Sequence, residues 1–363
     1  MRLQLAVRAL GLAGAFALAI ALPASGATGT TSSAAEETRV DLNKGVWVKG
    51  PNLPSARQDA AAVVMGGRIY LIGGFGPHSE QMATTLVFEP TFPSEEARPT
   101  EGGPIISHPG EWHYASTMPE PVDHAAATAL GGYIYVAGGR IENLVTNKFW
   151  RYDPVDDRWE ELPSMPIPRY GPVMQAVNGK IYLFAGQSSH GNDETSMLIF
   201  DPETNEWTTR PYAVGDSRWL AASTVINGKI YMAGGRNLAE LNFRACDIYD
   251  PISDRWRSCS NMHLGRSDFG LATVNNRLMA IGGEDLSTDS NTQTTEISST
   301  DGGGWMQGPW MPYPRHGMAV VSLGNQIWVI GGSPYIGTAP TDSVLRYVSP
   351  VIEIKFKGRK PTP

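Results

Sequence analysis

The stretch VINGKIYMAGGR, residues 225–236, decides the fold because the chain contains several versions of it. AVNGKIYLFAGQ, residues 176–187, is nearly the same sequence one interval earlier. Both stretches join an Asn-Gly dipeptide to an apolar run that ends in two small residues. Asn-Gly suits the positive φ angles of two-residue hairpin loops, so each version predicts a turn followed by a β-strand.

The pair of small residues recurs six times along the chain. After a first interval of 65 residues the spacings are 47, 49, 48 and 49. The tryptophans keep the same spacing. The pairs are Gly73-Gly74, Gly138-Gly139, Ala185-Gly186, Gly234-Gly235, Gly282-Gly283 and Gly331-Gly332, and the tryptophans are Trp47, Trp112, Trp159, Trp207, Trp256 and Trp305. A period near 48 residues predicts an array of similar structural units.

The sequence of each unit predicts four short β-strands. The first is small and apolar, as in AASTVI (221–226), and the second is the run that ends at the glycine pair. The third ends at Asp-Pro in DIYDP (247–251), and the fourth starts at the tryptophan. Small residues on the first strand fit a place where strands converge on an axis.

These features resemble the kelch repeat, which builds one propeller blade per unit. The resemblance covers residues 46–350 and implies an all-β, six-bladed propeller with four antiparallel strands per blade. Two units depart from the pattern. Ala185 replaces a glycine, and EISSTDGGGW (296–305) lacks the aromatic-Asp-Pro of the other units.

The register of the repeat has a consequence for ring closure. The array begins with a fourth strand at Trp47 and ends with a third strand in SVLRYVSP, residues 343–350. We expect the Trp47 strand to complete the last blade, which removes an open sheet edge. The C-terminal tail, residues 351–363, contains the alternating VIEIKFKGRK and is the rival for that edge.

The N-terminus has the pattern of a secretory signal peptide, which we assign to residues 1–27. Arg2 and Arg8 precede an uncharged run from Ala9 to Leu22, and small residues follow. The run is too short to span a bilayer comfortably, so an uncleaved anchor is the lesser alternative. We expect a secreted or periplasmic protein without a transmembrane anchor after cleavage. Residues 28–45 predict a disordered lead-in.

The composition limits the classes of partner. A formal charge of −7 argues against a nucleic-acid-binding surface, and we expect a monomer. The seven histidines show no close pair at ligand spacing, so no metal or other cofactor is predicted. The first interval between glycine pairs is longer than the others mainly because of residues 91–111, which are rich in proline, glycine and charged residues. This segment predicts a surface insertion, or alternatively a recognition loop.

Two cysteines, Cys246 and Cys259, flank the hairpin sequence DIYDPISDRW. With a turn at Ile252-Ser253 they are equidistant from its centre, so antiparallel pairing would place their sulfurs at one level on neighbouring strands. In an exported chain this predicts a disulfide. Two buried, reduced cysteines are the alternative.

Candidate binding residues emerge when the units are aligned on the glycine pair. Five units carry an arginine sixteen residues before it. We predict that these arginines ring one mouth of the channel and bind a carboxylate, sulfate or acidic saccharide. Other candidates lie at neighbouring positions or after the pair. The arginines are Arg57, Arg169, Arg218, Arg266 and Arg315, and the others are Arg140, Arg236, His124, Trp219 and His316. A structural role for the repeated arginines is the alternative.

The resemblance implies a binding module for an anionic small molecule, a saccharide or an acidic protein segment. Kelch domains of ubiquitin-ligase adaptors look similar, since arginines at this strand start hold acidic peptides. The second hypothesis is an enzyme similar to exported sialic-acid mutarotases, which carry a glutamate and an arginine in a loop after a glycine pair. Glu284 has such a position without an arginine in its loop, and Glu240 with Arg244 are further weak candidates.

Overall fold

The computed structural model describes residues 42–91, 110–211, 217–239, 241–299 and 304–350. The predicted signal peptide, most of the predicted insertion and the C-terminal tail lie outside these ranges. The regular secondary structure of the described residues consists of β-strands, apart from one short 3-10 helix at Leu42–Lys44. None of the described residues belongs to a helix with the length and apolar character that crossing a bilayer requires.

Six four-stranded antiparallel sheets form the blades of a propeller, as predicted. From the innermost strand outward, blade 1 has Ala61–Met65, Arg68–Ile72, Thr85–Glu89 and Glu111–Ala115; blade 2 has Ala126–Leu130, Tyr133–Ala137, Phe149–Asp153 and Arg158–Glu161; blade 3 has Val173–Val177, Lys180–Phe184, Ser196–Asp201 and Glu206–Pro211. Blade 4 has Ala222–Ile226, Lys229–Ala233, Cys246–Asp250 and Arg255–Cys259; blade 5 has Gly270–Val274, Arg277–Ile281, Thr295–Ser298 and Trp305–Gln307; blade 6 has Ala319–Leu323, Gln326–Ile330, Val344–Val348 and Val46–Lys49. Two short ribbons pair Arg140–Ile141 with Leu144–Val145 and Glu284–Asp285 with Ser290–Asn291.

The glycine pair ties each blade to the next one. In blade 4, Gly234 and Gly235 have φ angles of 62° and 92°, and a Cβ on Gly234 would lie 2.5 Å from the carbonyl oxygen of Arg266. The Gly235 N–H donates to that same carbonyl at 2.9 Å. Ala185 adopts the same left-handed conformation in blade 3, at φ 61°. This strains the backbone by about 1–2 kcal/mol.

The repeat tryptophans also join neighbouring blades. Five of the six donate an indole N–H to a backbone carbonyl that follows the outer strand of the preceding blade. These bonds run from Trp47 to Pro309, Trp112 to Pro51, Trp159 to Ser116, Trp207 to Pro163 and Trp305 to Ser260, at 2.7–3.1 Å. The regular spacing of tryptophan along the sequence therefore reflects the regular packing of one blade on the next.

The N-terminal strand closes the ring, which confirms the prediction for Trp47. Val46–Lys49 pairs antiparallel with the third strand of blade 6, placing Trp47 opposite Tyr347. Residues 42–45, assigned above to the disordered lead-in, are ordered in the structure. Leu42 is buried, and its carbonyl accepts a hydrogen bond from the Tyr347 hydroxyl.

A closed circle of backbone hydrogen bonds surrounds the channel axis. One residue of each blade, fourteen positions before the glycine pair, adopts a left-handed conformation with φ between 51° and 59°. Each N–H donates to the carbonyl of the equivalent residue in the preceding blade, at 2.7–3.3 Å. We call these residues the axial ring: Asp59, His124, Gly171, Leu220, Asp268 and Gly317. The innermost strands line a cavity of about 400 Å³ along the axis.

The structure contains the predicted disulfide between Cys246 and Cys259. The two cysteines face each other in the register of the outer hairpin of blade 4, where Tyr249 also faces Trp256. Spacing from the turn was therefore sufficient to place the two sulfurs together.

Replacing Trp47 with alanine should lower the free energy of unfolding by about 2–3 kcal/mol, because a half-buried indole and its contacts in the closing strand are lost. These contacts are the Tyr347 ring at 5.5 Å and the Pro309 carbonyl. Urea denaturation measures the change. Val46→Ala, at a 52% exposed position on the same strand, is the control and should change stability by less than about 0.5 kcal/mol. Equal stability of the two variants would contradict closure by this strand.

Candidate functional site

The channel mouth is built from two segments of each blade. One segment leads into the innermost strand, and the other follows the glycine pair. Single β-bridges hold them together, for example Asp123 with Arg140 and Trp219 with Arg236. We use the name channel mouth for the axial ring, the residue before each ring residue, and the residue after each glycine pair. Residues far apart in the sequence thus become neighbours around the axis.

The five repeated arginines do not reach this surface. Arg57, Arg169, Arg218, Arg266 and Arg315 are all 0–1% exposed. Their guanidinium groups bond to their own blade, near the start of its third strand. Arg315, for instance, donates to the carbonyl oxygens of Gly331 at 2.8 Å and Ser343 at 3.1 Å. The predicted ring of ligand-binding arginines is thus a set of buried structural groups, as the alternative reading stated.

Three of these buried arginines form ion pairs with carboxylates of their own blade. Arg266 contacts Glu296 at 2.9 Å, Arg169 contacts Glu194 at 2.9 Å, and Arg218 pairs with Asp247. Burial lowers the pKa of Arg266, and the neighbouring Glu296 opposes that shift. A buried guanidinium with an internal carboxylate stabilises the fold only as a pair, so it is poorly suited to exchange that partner for a ligand.

Two other predicted arginines, Arg140 and Arg236, do lie at the channel mouth. The Arg140 Nε donates to Asp123 at 3.0 Å, and its guanidinium stands 4.5 Å from the centre of the Tyr170 ring. Arg236 donates to the Glu284 carboxylate and stands 4.3 Å from the Trp219 ring. Each arginine therefore combines an ion pair with a cation–π contact.

Four rings form a continuous arc around one side of the mouth. We call Phe75, His124, Tyr170 and Trp219 the aromatic arc; consecutive ring centres are 6.0, 4.7 and 5.3 Å apart. Burial raises the pKa of Tyr170, so its phenol stays neutral. The Trp219 Nε1 is buried and has no hydrogen-bond partner within the described part of the chain. The arc thus offers apolar faces and an unsatisfied donor.

Carboxylates and a histidine occupy the other side. His316 Nε2 lies 3.5 Å from Glu284 and 4.0 Å from Asp268. Burial, followed by the charge of Asp268, raises the pKa of Asp59 well above its usual range. Burial and the Asp268 charge raise the pKa of Glu284, against the opposite effect of Arg236 and His316. The Asp59 and Glu284 carboxyl groups therefore hold protons more tightly than free ones.

The pKa of Asp123 shifts in the opposite direction from those of Asp59 and Glu284. Burial acts to raise its pKa, but hydrogen bonds from His124 and Gln81, together with Arg140, outweigh burial and lower it. Asp123 is therefore an ionised acceptor that holds the His124 ring through its Nδ1.

The structure unites six of the predicted residues at the mouth: Arg140, Arg236, His124, Trp219, His316 and Glu284. Arg244 is exposed, and its Nε donates to the Met262 carbonyl at 2.9 Å, while Glu240 lies outside the described residues. The sequence supplied no arginine for Glu284 within its own loop. The preceding blade supplies Arg236 instead.

Sequence reasoning missed Asp59 as a site residue and the convergence of Asp59 with Asp268. The position fourteen residues before each glycine pair could have indicated these site residues. From blade 1 to blade 6 it holds aspartate, histidine, glycine, leucine, aspartate and glycine. Aspartate and histidine are among the residues that tolerate a left-handed backbone, which this position requires.

Comparisons with known proteins agree with this architecture. A family model described as the FKB95 kelch-repeats domain matches residues 112–278. Kelch-like protein 15 of Danio rerio is 28% identical over 314 residues, which is 83% of this chain. The chain is a kelch-repeat β-propeller. Kelch propellers generally act as interaction modules.

The other similar proteins either match a shorter part of this chain or show similarity of fold alone. Beta-scruin of Limulus polyphemus is 28% identical over 168 residues, which is 43% of this chain and 16% of its own length. The alignment with Kelch-like protein 15 covers 43% of that protein, so the chain spans less than half the length of these curated relatives. The solved "Structure of YjhT" has a TM-score of 0.66 at 18% identity and covers 81% of this chain and 95% of that one.

Replacing Arg266 with alanine should destabilise the propeller by about 3–5 kcal/mol, because the buried Glu296 would lose its cation. Chemical denaturation measures the change. Arg244→Ala removes an exposed arginine near the same blades and should have an effect of less than about 1 kcal/mol. If Arg266→Ala were as stable as Arg244→Ala, the structural role of the buried arginines would be refuted.

Proposed function

We propose that this kelch propeller is a binding module that recognises a saccharide at the channel mouth. The observation that carries the proposal is the aromatic arc facing a group of carboxylates across the mouth. Aromatic faces accept the apolar C–H faces of a sugar ring, and carboxylates and imidazoles bond its hydroxyl groups.

Polar atoms without partners support a polar ligand rather than an apolar one. The Trp219 Nε1 and one Asp59 oxygen are buried, and neither has a protein hydrogen-bond partner within the described ranges. Buried polar groups are normally bonded, so unpaired ones at a mouth indicate a ligand or ordered water. A pyranose carries hydroxyl groups around its ring, which can accept a hydrogen bond from Trp219 Nε1 and donate one to the Asp59 oxygen.

The charge distribution favours hydroxyl groups over an acidic group as the recognised feature. Arg140 and Arg236 are already paired with Asp123 and Glu284. A ligand carboxylate would have to displace one of these acids, and it would also meet Asp59 and Asp268. Neutral saccharides avoid both penalties, so they are the expected class, with acidic saccharides as the contrasting class.

Export belongs to this proposal. The charged, apolar and small-residue order of residues 1–27 supports a cleaved signal peptide, and the Cys246–Cys259 disulfide suits an oxidising compartment. A secreted or periplasmic monomer would meet saccharides outside the cytoplasm.

A thermal-shift screen of the secreted protein against neutral sugars and sugar acids tests the proposal. We expect a neutral saccharide to raise the melting temperature, and Trp219→Ala to weaken its binding by about tenfold or more, since an aromatic contact is worth about 1.5 kcal/mol. Tyr114→Ala, on the outer strand of blade 1 and 58% exposed, is the aromatic control. Stabilisation by acids alone would contradict recognition through hydroxyl groups, and no stabilisation by any saccharide would refute the proposal.

A second candidate function, sugar mutarotation, is favoured by one observation. Glu284 is a carboxyl group of raised pKa beside a cationic arginine, Arg236. A general acid needs a proton to give near neutral pH, and a neighbouring guanidinium stabilises the carboxylate that remains.

The reaction would use Glu284 alone for both proton transfers. Protonated Glu284 gives its proton to the ring oxygen as the bond from that oxygen to the anomeric carbon breaks. The resulting carboxylate takes the proton of the anomeric hydroxyl, whose oxygen becomes the carbonyl of the open-chain sugar. Rotation of this carbonyl and ring closure by the reverse transfers give the other anomer, and Glu284 is again protonated.

Glu284→Gln should slow any mutarotation by about 10²–10⁴-fold, because the amide cannot exchange the proton. NMR exchange between the anomers of a stabilising sugar measures the rate. Glu203→Gln, in an exposed turn of blade 3, is the matched control and should leave the rate unchanged. Equal rates for both variants and the wild-type protein would rule out Glu284 as the acid while leaving saccharide binding unaffected.

A further inference from the structure

The axial ring holds three metal-ligating side chains at one level of the channel. Asp59, His124 and Asp268 belong to blades 1, 2 and 5, and their donor atoms lie within 4.8 Å of one another. Equivalent positions of a propeller converge on the axis at the same height, so the repeat itself brings these three together. The ring residues of the remaining blades, Gly171, Leu220 and Gly317, carry no side-chain donor.

The orientation of His124 suits a metal ligand. Its Nδ1 contacts a carboxylate oxygen of Asp123, which fixes the tautomer that leaves the Nε2 lone pair free. That Nε2 lies 3.4 Å from Asp59 Oδ2. Ligating histidines commonly donate their other ring N–H to a carboxylate in this way. Two donors bound to one tetrahedral ion would be about 3.3 Å apart, close to the observed separation.

The space between the three candidate ligands can hold an ion. A Cβ at Gly317 would lie 2.4 Å from Asp59 Oδ1 and 3.3 Å from Asp268 Oδ2, so a side chain at this ring position would crowd both carboxylates. The Asp59 side chain is 3% exposed, and its Oδ1 has no partner among the described residues. A cavity of about 120 Å³, lined by the three candidate ligands and Gly317, occupies this place. It can hold an ion together with water.

The charges around Asp59 and Asp268 favour a bound cation at this place. Arg140 pairs with Asp123, and Arg236 pairs with Glu284. The ion-pair contacts of Asp59 and Asp268 within the described ranges are with histidines only, His124 and His316. Clustered carboxylates that lack a strong cation are unfavourable in a poorly hydrated place, and a bound cation would relieve their repulsion.

We propose that the axial ring binds one divalent transition-metal ion through Asp59, His124 and Asp268. A mixed set of oxygen and nitrogen donors suits Zn²⁺ or Mn²⁺, whereas Ca²⁺ and Mg²⁺ prefer oxygen alone. Three protein ligands leave at least one coordination position for water from the cavity. His316 stands beside this set, but its Nε2 is 3.2 Å from the amide nitrogen of Gln58 and is thereby engaged. The proposal does not depend on saccharide binding.

The test is calorimetric titration of the untagged mature protein, previously dialysed against EDTA, with Zn²⁺ and separately with Mn²⁺, without saccharide. We expect one ion per chain. Asp59→Asn, His124→Asn and Asp268→Asn should each weaken binding by at least about 100-fold, and Asp123→Asn by about 10-fold. The three ligand positions have φ of 51–55°, which asparagine tolerates, so these variants should keep the axial ring.

The control is His113→Asn, which removes a half-exposed surface histidine near Glu89 and should leave the affinity unchanged. No ion binding by the wild-type protein would overturn the proposal, as would unchanged affinity in the ligand variants. Circular dichroism shows which variants fold, and any one folded ligand variant is sufficient for the test. A saccharide screen in EDTA separates failure of this site from failure of the saccharide proposal.

Discussion

The closed circle of six backbone hydrogen bonds at the axial ring is the constraint on which the channel mouth depends. The circle requires a left-handed conformation in every blade, with φ of 51–59°. Glycine, aspartate and histidine tolerate this conformation well, whereas leucine is strained by it. The residues that satisfy the backbone are therefore also residues that can bind protons or metals. The left-handed backbone of the axial ring accepts few residue types, and two of these, aspartate and histidine, have side chains that can bind protons or metals.

Repetition explains how much of the fold could be predicted from the sequence. Each hairpin turn, glycine pair and tryptophan is a weak local signal, but six concordant copies leave little freedom in the architecture. Closure by the Trp47 strand followed from counting strands. The extent of the lead-in could not be predicted, since Leu42 is ordered by packing into a hydrophobic cluster shared by blade 5, blade 6 and the closing strand. Such a contact joins opposite ends of the propeller and leaves no local pattern.

The site was only partly predictable, for two physical reasons. Alignment located the arginine positions but not the direction of their side chains, which bond to the third strand of their own blade, as Arg315 does at Ser343. Partners at the mouth are also about one repeat apart in sequence, as Arg236 and Glu284 are, so a search within one loop cannot find them. Residues that recur in most blades, such as the buried arginines and the glycine pairs, support the propeller, and residues that vary between blades form the mouth.

The buried charged groups inside a blade are arranged differently from those at the channel mouth. Arg266 and Glu296 neutralise each other inside one blade, and the pair contributes to a single folded state. Asp59 and Asp268 instead come from different blades and face each other where only a glycine, Gly317, separates their backbones. Nothing in the blade architecture requires two acids there, because glycine occupies the same ring position in two other blades. A sequence selected for stability alone would replace them, so their presence favours a bound proton, cation or ligand as the reason for this arrangement.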